Sequence, residues 1–165
     1  MAVVRLLLVV LVATALVAIA LPPIEAARTD AATTAARDQL TSLQTAVRRL
    51  ATTNDPVPGA LPAARRHLTL TVPQPGPGST GVSYLAIGAV PNTTTPDGPA
   101  GDVLAYRLPG GPTRVIRTSV DLRVVVDGHR RDDDTPLILR DRTRLTIAYV
   151  IVDGTPIVRV TPVRL

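Results

Sequence analysis

Residues 6–21 read LLLVVLVATALVAIAL, an uncharged apolar run with Arg5 before it and Pro22-Pro23 after it. A helix on the surface of a soluble domain needs a polar face, and this run supplies none. With Met1 to Val4 added, the stretch nears the ~20 residues that cross a bilayer, and Arg5 has the reach to snorkel to the interface. Leu6, Leu11, Val17 and Leu21 are the positions expected to carry the anchor. The same run also fits a cleavable secretory signal, with Leu6 to Ala20 as its apolar region and small-residue sites after Ala20 or Ala26. Both readings carry the remainder of the chain out of the cytoplasm. Pro22-Pro23-Ile24 is a poor cleavage context, which favours a single-pass anchor in the cell membrane with the C-terminal domain outside. Secretion after cleavage is the alternative.

Ala26 to Thr52 contains neither Gly nor Pro and is rich in Ala, Arg, Gln and Leu, as a helix would be. Ala32, Ala36, Leu40, Leu43, Val47 and Leu50 recur at spacings of three and four, so they form one apolar stripe. Arg37, Asp38, Gln44, Arg48 and Arg49 lie mostly off it. This pattern predicts a helix whose stripe packs on a sheet and whose other side meets water. Asn54-Asp55-Pro56 ends it, because proline disfavours a helical conformation in the residue before it.

Ala18-Ile19-Ala20-Leu21-Pro22, followed by the stripe, resembles the N-terminal helix of type IV pilin-like proteins. In those proteins a membrane helix runs through a proline kink into an amphipathic half that packs on a sheet. The resemblance covers roughly the first third of the chain. The chain as a whole is similar to short proteins of halophilic archaea associated with pilus-type secretion systems. These resemblances imply other envelope or pilus-type proteins as partners, met through the N-terminal helix.

Sheet sequence begins after a linker rich in Pro and Gly. His67 to Val72 alternates strictly, with Leu68, Leu70 and Val72 on one face and His67, Thr69 and Thr71 on the other. Pro73 to Gly81 is a loop, and Val82 to Val90 is a nearly continuous apolar run suited to an interior strand. Pro91 to Gly101 forms a second loop. Asp102 to Leu108 places Leu104, Tyr106 and Leu108 on a shared face, and Gly110-Gly111 predicts a reversal into Thr113 to Thr118. Val120, Leu122, Val124 and Val126 alternate up to an Asp127-Gly128 turn. Arg144 to Val152 and Thr155 to Val163 flank Asp153-Gly154, the pair favoured in a two-residue hairpin because both positions tolerate positive φ. Pro156 and Pro162 mark the second arm as an edge strand, since proline cannot donate to a ladder.

All 18 basic residues are Arg, and Glu25 is the only Glu. The net charge of +5 does not depend on the N-terminal segment, because Arg5 and Glu25 cancel. An acidic glycan or lipid surface is therefore an acceptable neighbour. The absence of Cys excludes disulfides, thiol nucleophiles and Cys-based zinc sites.

His67 and His129 belong to no HxH or HxxxH pair and read as surface residues. Asp132-Asp133-Asp134 lacks the alternating spacing and glycine of a calcium loop and reads as a solvated turn. Ser79, Ser83 and Ser119 lie outside any GxSxG elbow, and the Gly-rich stretches lack the Lys of a phosphate loop. Arg114, Arg117, Arg123, Arg130, Arg140, Arg142 and Arg144 are interrupted by Asp, with almost no aromatics to stack bases, so nucleic acid is not expected. No catalytic, cofactor-binding or metal residues are expected. Asn92-Thr93-Thr94 is an N-x-T triplet in a loop, which makes Asn92 a possible glycosylation acceptor.

The expected fold is α+β: a long N-terminal helix with a membrane half and an amphipathic half, then an antiparallel β-sheet or sandwich of about seven to eight strands. Residues 1–25 form the transmembrane anchor or signal segment, 26–53 the amphipathic helix with Leu40, Leu43, Val47 and Leu50 as its packing stripe, 54–66 a linker, and 67–165 the β-rich outer domain. The expected function is that of a non-enzymatic, membrane-anchored envelope protein, pilin-like or an accessory of a pilus or secretion apparatus. A secreted or tethered envelope binding module is the alternative.

Overall fold

The computed structural model describes residues 2–59, 62–91, 101–132 and 135–163. It opens on one helix, α1 (Ala2–Thr53), about 78 Å long at ~1.5 Å rise per residue. α1 passes Pro22 and Pro23 without interruption, although neither proline can donate a backbone hydrogen bond to the turn before it. At its far end the Asn54 Nδ2 donates to the Leu50 carbonyl at 3.0 Å, satisfying one of the last helical acceptors just before Pro56.

Ten strands follow: β1 (Val57–Pro58), β2 (Arg65–Leu70), β3 (Tyr84–Ile87), β4 (Val103–Arg107), β5 (Thr113–Arg117), β6 (Leu122–Val126), β7 (His129–Arg130), β8 (Leu137–Leu139), β9 (Thr143–Val152) and β10 (Thr155–Val163). They make two sheets. A six-stranded mixed sheet runs β1-β9-β10-β6-β7, with β2 also paired to β9, and a four-stranded antiparallel sheet runs β5-β4-β3-β8. The α+β class is as the sequence predicts, but the strands are more numerous and two of the pairings, β1 with β9 and β6 with β10, are parallel.

The core is continuous from the helix through both sheets. Ala32, Ala36, Leu40, Leu43, Val47 and Leu50 are all buried, and they meet Leu70, Leu145, Ile147, Val158 and Val160 of the larger sheet and Leu85, Ile87, Leu104 and Tyr106 of the smaller. Each fully buried Leu contributes about 1.5–3 kcal/mol relative to exposure. The hydroxyl of Tyr106, the largest fully buried side chain, accepts from Arg37 Nε at 3.2 Å. The buried phenol is thus satisfied where helix and small sheet meet.

Both predicted Asp-Gly turns form. Asp153 and Gly154 have φ of 52° and 79°, and Asp127 and Gly128 have 52° and 80°, the positive values that a two-residue hairpin requires at both positions.

Three expectations are corrected. First, β10 is interior, flanked by β9 and β6. The Val158 N–H points toward β6, donating to the Asp121 carbonyl at 2.8 Å, so the nitrogens of Pro156 and Pro162, even steps away, lie on that same side. The β6 register covers only Val158 to Val160, between the prolines, so no ladder bond is lost. Second, residues 54–66 are not merely a linker: they contain β1 and the start of β2. Third, Leu137–Leu139 is a strand that alternation over so few residues does not reveal, and the run Val82 to Val90 contracts to the four residues of β3.

Candidate functional site

α1 divides into two parts by burial. Every residue from Val3 to Ala27 is exposed, including Leu6 at 67%, Leu11 at 70%, Val17 at 57% and Leu21 at 50%. From Ala32 onward the stripe is buried. Val3 to Ile24 extends about 32 Å along the axis, against a hydrocarbon thickness of about 30 Å. Among the described residues, this is one helix long and apolar enough to cross a membrane, as an anchor or as a signal sequence. Its one polar side chain between Leu6 and Leu21, Thr14, donates to the Val10 carbonyl at 2.7 Å and so presents no unsatisfied hydroxyl.

The outer domain grips α1 immediately beyond this part. Arg28 Nη2 donates to the Gly76 carbonyl at 2.9 Å, and Thr80 N–H donates to the Arg28 carbonyl at 3.3 Å. Farther along, Thr71 N–H donates to Gln39 Oε1 at 3.0 Å. Arg49 and Arg66 then line one shallow depression of about 280 Å³. These contacts fix β2 antiparallel to α1, with Pro73 to Gly81 nearest the apolar part and Arg65-Arg66 farthest from it.

The histidines do not meet. His67 lies on β2, where its Nδ1 is 3.0 Å from Thr146 Oγ1, and His129 lies on β7 at the opposite edge of the sheet. Among the described residues no three His, Cys, Asp or Glu side chains converge as a metal site. Asp132 is exposed, its carbonyl accepting from Thr135 N–H at 2.9 Å; Asp133 and Asp134 lie outside the described residues. Asn92 also lies outside them. Ser79 Oγ accepts from Gly81 N–H at 3.1 Å within a tight loop, which is a structural use of that hydroxyl.

The Arg residues separate into different places. Arg114 and Arg117 are on β5, Arg140 and Arg142 in the turns around β8 and β9, and Arg107 Nε donates to Gly111 O across the β4–β5 reversal at 2.9 Å. Arg123 pairs with Asp121 at 2.8 Å. Sequence reasoning missed that Arg65 and Arg159 are both register partners of Ala148 on β9. The Ala148–Arg159 half follows from the Asp153-Gly154 hairpin, but nothing local reports that Arg65, from a distant segment, pairs on the other side of β9.

The protein is thus an α+β chain in which a single helix serves as a candidate membrane segment at one end and as a core element at the other. It belongs to the family described as Domain of unknown function (DUF7311), whose match covers residues 3–163 and so takes in both parts of α1 and both sheets. No curated protein and no solved structure matches the chain.

Proposed function

We propose that this is a non-enzymatic envelope protein anchored in the cell membrane by the first part of α1, with the two-sheet domain outside, acting as a pilin-like or accessory component of a pilus or secretion apparatus. The observation that carries it is the division of one helix: Val3 to Ala27 is wholly exposed and, apart from Arg5, Thr14 and Glu25, apolar, while the continuation from Ala32 is built into the domain core. A cleavable signal has no need to be continuous with a core helix. Arg5 at the start of the apolar part accords with a cytoplasmic N-terminal end. In this reading the apolar part meets lipid and the equivalent helices of partner proteins.

Alkaline extraction of membranes and intact-mass measurement of the native protein test the anchor. A retained Met1-proximal sequence in the membrane pellet is expected. A mature chain starting near Leu21 or Ala27 and fully soluble would overturn it. Leu11→Asp or Val17→Asp should then abolish assembly while leaving the outer domain resistant to protease.

The alternative, a tethered binding module, is favoured by the outer face of the larger sheet, where the exposed Arg65 has no ion-pair partner among the described residues.

A further inference from the structure

We propose that the outer domain is seated on the bilayer, with the loop from Pro73 to Gly81 and the β4–β5 reversal from Leu108 to Pro112 resting among the lipid headgroups. This second membrane contact rests on the anchored reading of α1 and adds to the span itself.

The first loop is placed by α1. Arg28 is about 6 Å along the axis from Ile24, where the apolar part ends. Its carbonyl accepts from Thr80 N–H at 3.3 Å, and its Nη2 donates to the Gly76 carbonyl at 2.9 Å. Thr71 N–H is held at Gln39 Oε1, so the chain from Thr71 to Gly76 runs along α1 toward the apolar part. Gly76 and Ser79 bond to each other in both directions, which leaves Pro77 and Gly78 as the tip. Headgroups occupy roughly 5–8 Å beyond the hydrocarbon on each side, so the tip lies at their depth.

The second loop reaches the same height by a separate route. Gln44 Nε2 donates to the carbonyl of Arg117, which is the register partner of Val103 at the start of β4. Arg37 Nε meets the Tyr106 hydroxyl near the end of that strand. β4 therefore also runs toward the apolar part, and Arg37 is about 20 Å along the axis from Ile24. Pro109 and Gly110 follow Tyr106 by three and four residues, which at ~3.3 Å each carries the reversal to roughly 10 Å from Ile24. Ser83 N–H donates to the Arg107 carbonyl and Val82 N–H to that of Pro73, both at 2.8 Å, so the two loops lie side by side.

Their chemistry suits an interface. Neither loop holds a charged residue, and Pro75, Pro77, Gly78, Pro109, Gly110 and Pro112 are exposed. At the opposite end of the domain Arg48, Arg49, Arg65 and Arg66 are exposed instead. An uncharged end enters the interfacial layer without stripping water from an ion. Backbone donors are accounted for as well. The Gly76, Ser79, Thr80 and Gly81 amides are hydrogen-bonded, and Pro73, Pro75 and Pro77 have no N–H to satisfy. Arg28 supplies the polar link: no acid pairs with it among the described residues, and its Nε has no partner. A guanidinium at headgroup height without a carboxylate is matched to lipid phosphate.

The chain has no Cys, so a single introduced Cys carries the only thiol label. The test places bimane on Pro77→Cys, Pro109→Cys, Arg49→Cys or Leu11→Cys, one at a time, in the full chain reconstituted in phosphatidylcholine nanodiscs. The quenchers are aqueous iodide and phosphatidylcholine carrying a nitroxide on its headgroup or its acyl chain. Arg49 lies about 38 Å along α1 from Ile24, so headgroup nitroxide should quench the Pro77→Cys and Pro109→Cys labels at least about threefold more than the Arg49→Cys label, and iodide about twofold less. Either tip reports alone if the other variant does not fold. Tips as open to iodide as Arg49→Cys, or untouched by headgroup nitroxide, while acyl-chain nitroxide quenches Leu11→Cys, would overturn the seating and leave the anchor standing. A Leu11→Cys label that acyl-chain nitroxide does not quench overturns the anchor, and the seating with it.

Discussion

Arg28 and Gly76 are joined by a hydrogen bond of 2.9 Å from the guanidinium Nη2 to the loop carbonyl, about 6 Å along the helix from Ile24. The Pro73 to Gly81 loop is thereby clamped to α1 at the boundary between its exposed and buried parts. The Gly76 and Ser79 amides and carbonyls close on each other at 2.9 and 3.2 Å, so the loop is braced by its own backbone as well as by the helix. Arg28→Ala should cost about 1–2 kcal/mol. Amide hydrogen exchange checks this: protection should fall at Ser79, Thr80 and Val82 and persist in β9. A uniform fall across the domain would show that the clamp is not local.

The stripe and the exposed apolar part should respond oppositely to truncation. Leu40 and Leu43 are fully buried, so Leu40→Ala or Leu43→Ala should destabilise the outer domain by about 2–5 kcal/mol, measured by denaturant unfolding. Leu11→Ala removes the same atoms from a side chain 70% exposed and should leave that transition unchanged. If Leu11→Ala also lowers domain stability, the two parts of α1 are not energetically separate.

Which features were legible in the sequence follows from the range of the interactions that create them. The stripe from Ala32 to Leu50 is a helical periodicity, and the hairpin at Asp153-Gly154 is a two-residue conformational requirement; both are written locally. The β6–β10 parallel pair joins segments with β7, β8 and β9 between them, and no local pattern specifies that register. Pro156 and Pro162 misled for this reason: their missing donors matter only opposite a neighbour, and the neighbour β6 stops short of both. Arg65 and Arg159 share a register level only because β9 lies between their strands.

The hairpin itself yields a graded expectation. Gly154 has φ of 79°, and nothing lies within 4 Å of where its Cβ would be, so Gly154→Ala is opposed by backbone conformation alone. A cost of about 1 kcal/mol is expected. Asp153→Asn should be nearly neutral, since Asn accepts positive φ at least as readily. Thermal denaturation of the two variants decides this, and an equal loss for both would place the cost in the Asp153 side chain instead.

Gly101 combines both constraints. Its φ of 102° is rarely adopted by residues with side chains, and a Cβ there would overlap Asp121 Oδ1 and stand 2.9 Å from the Leu122 carbonyl. The neighbouring backbone is committed: Leu122 N–H donates to the Gly101 carbonyl at 2.7 Å, and Val158 N–H donates to that of Asp121 at 2.8 Å. Asp121 cannot retreat without leaving Arg123, its partner at 2.8 Å, and shifting the point where β6 joins β10. Gly101→Ala should therefore cost more than Gly154→Ala, about 2–3 kcal/mol, and the loss should register in β6 and β10 rather than at the Asp153-Gly154 turn. Asp121→Ala relieves the overlap, so Gly101→Ala introduced into an Asp121→Ala background should cost measurably less than in the parent. Additive losses in that double-mutant cycle would mean that backbone strain, and not the collision with Asp121, sets the requirement for glycine.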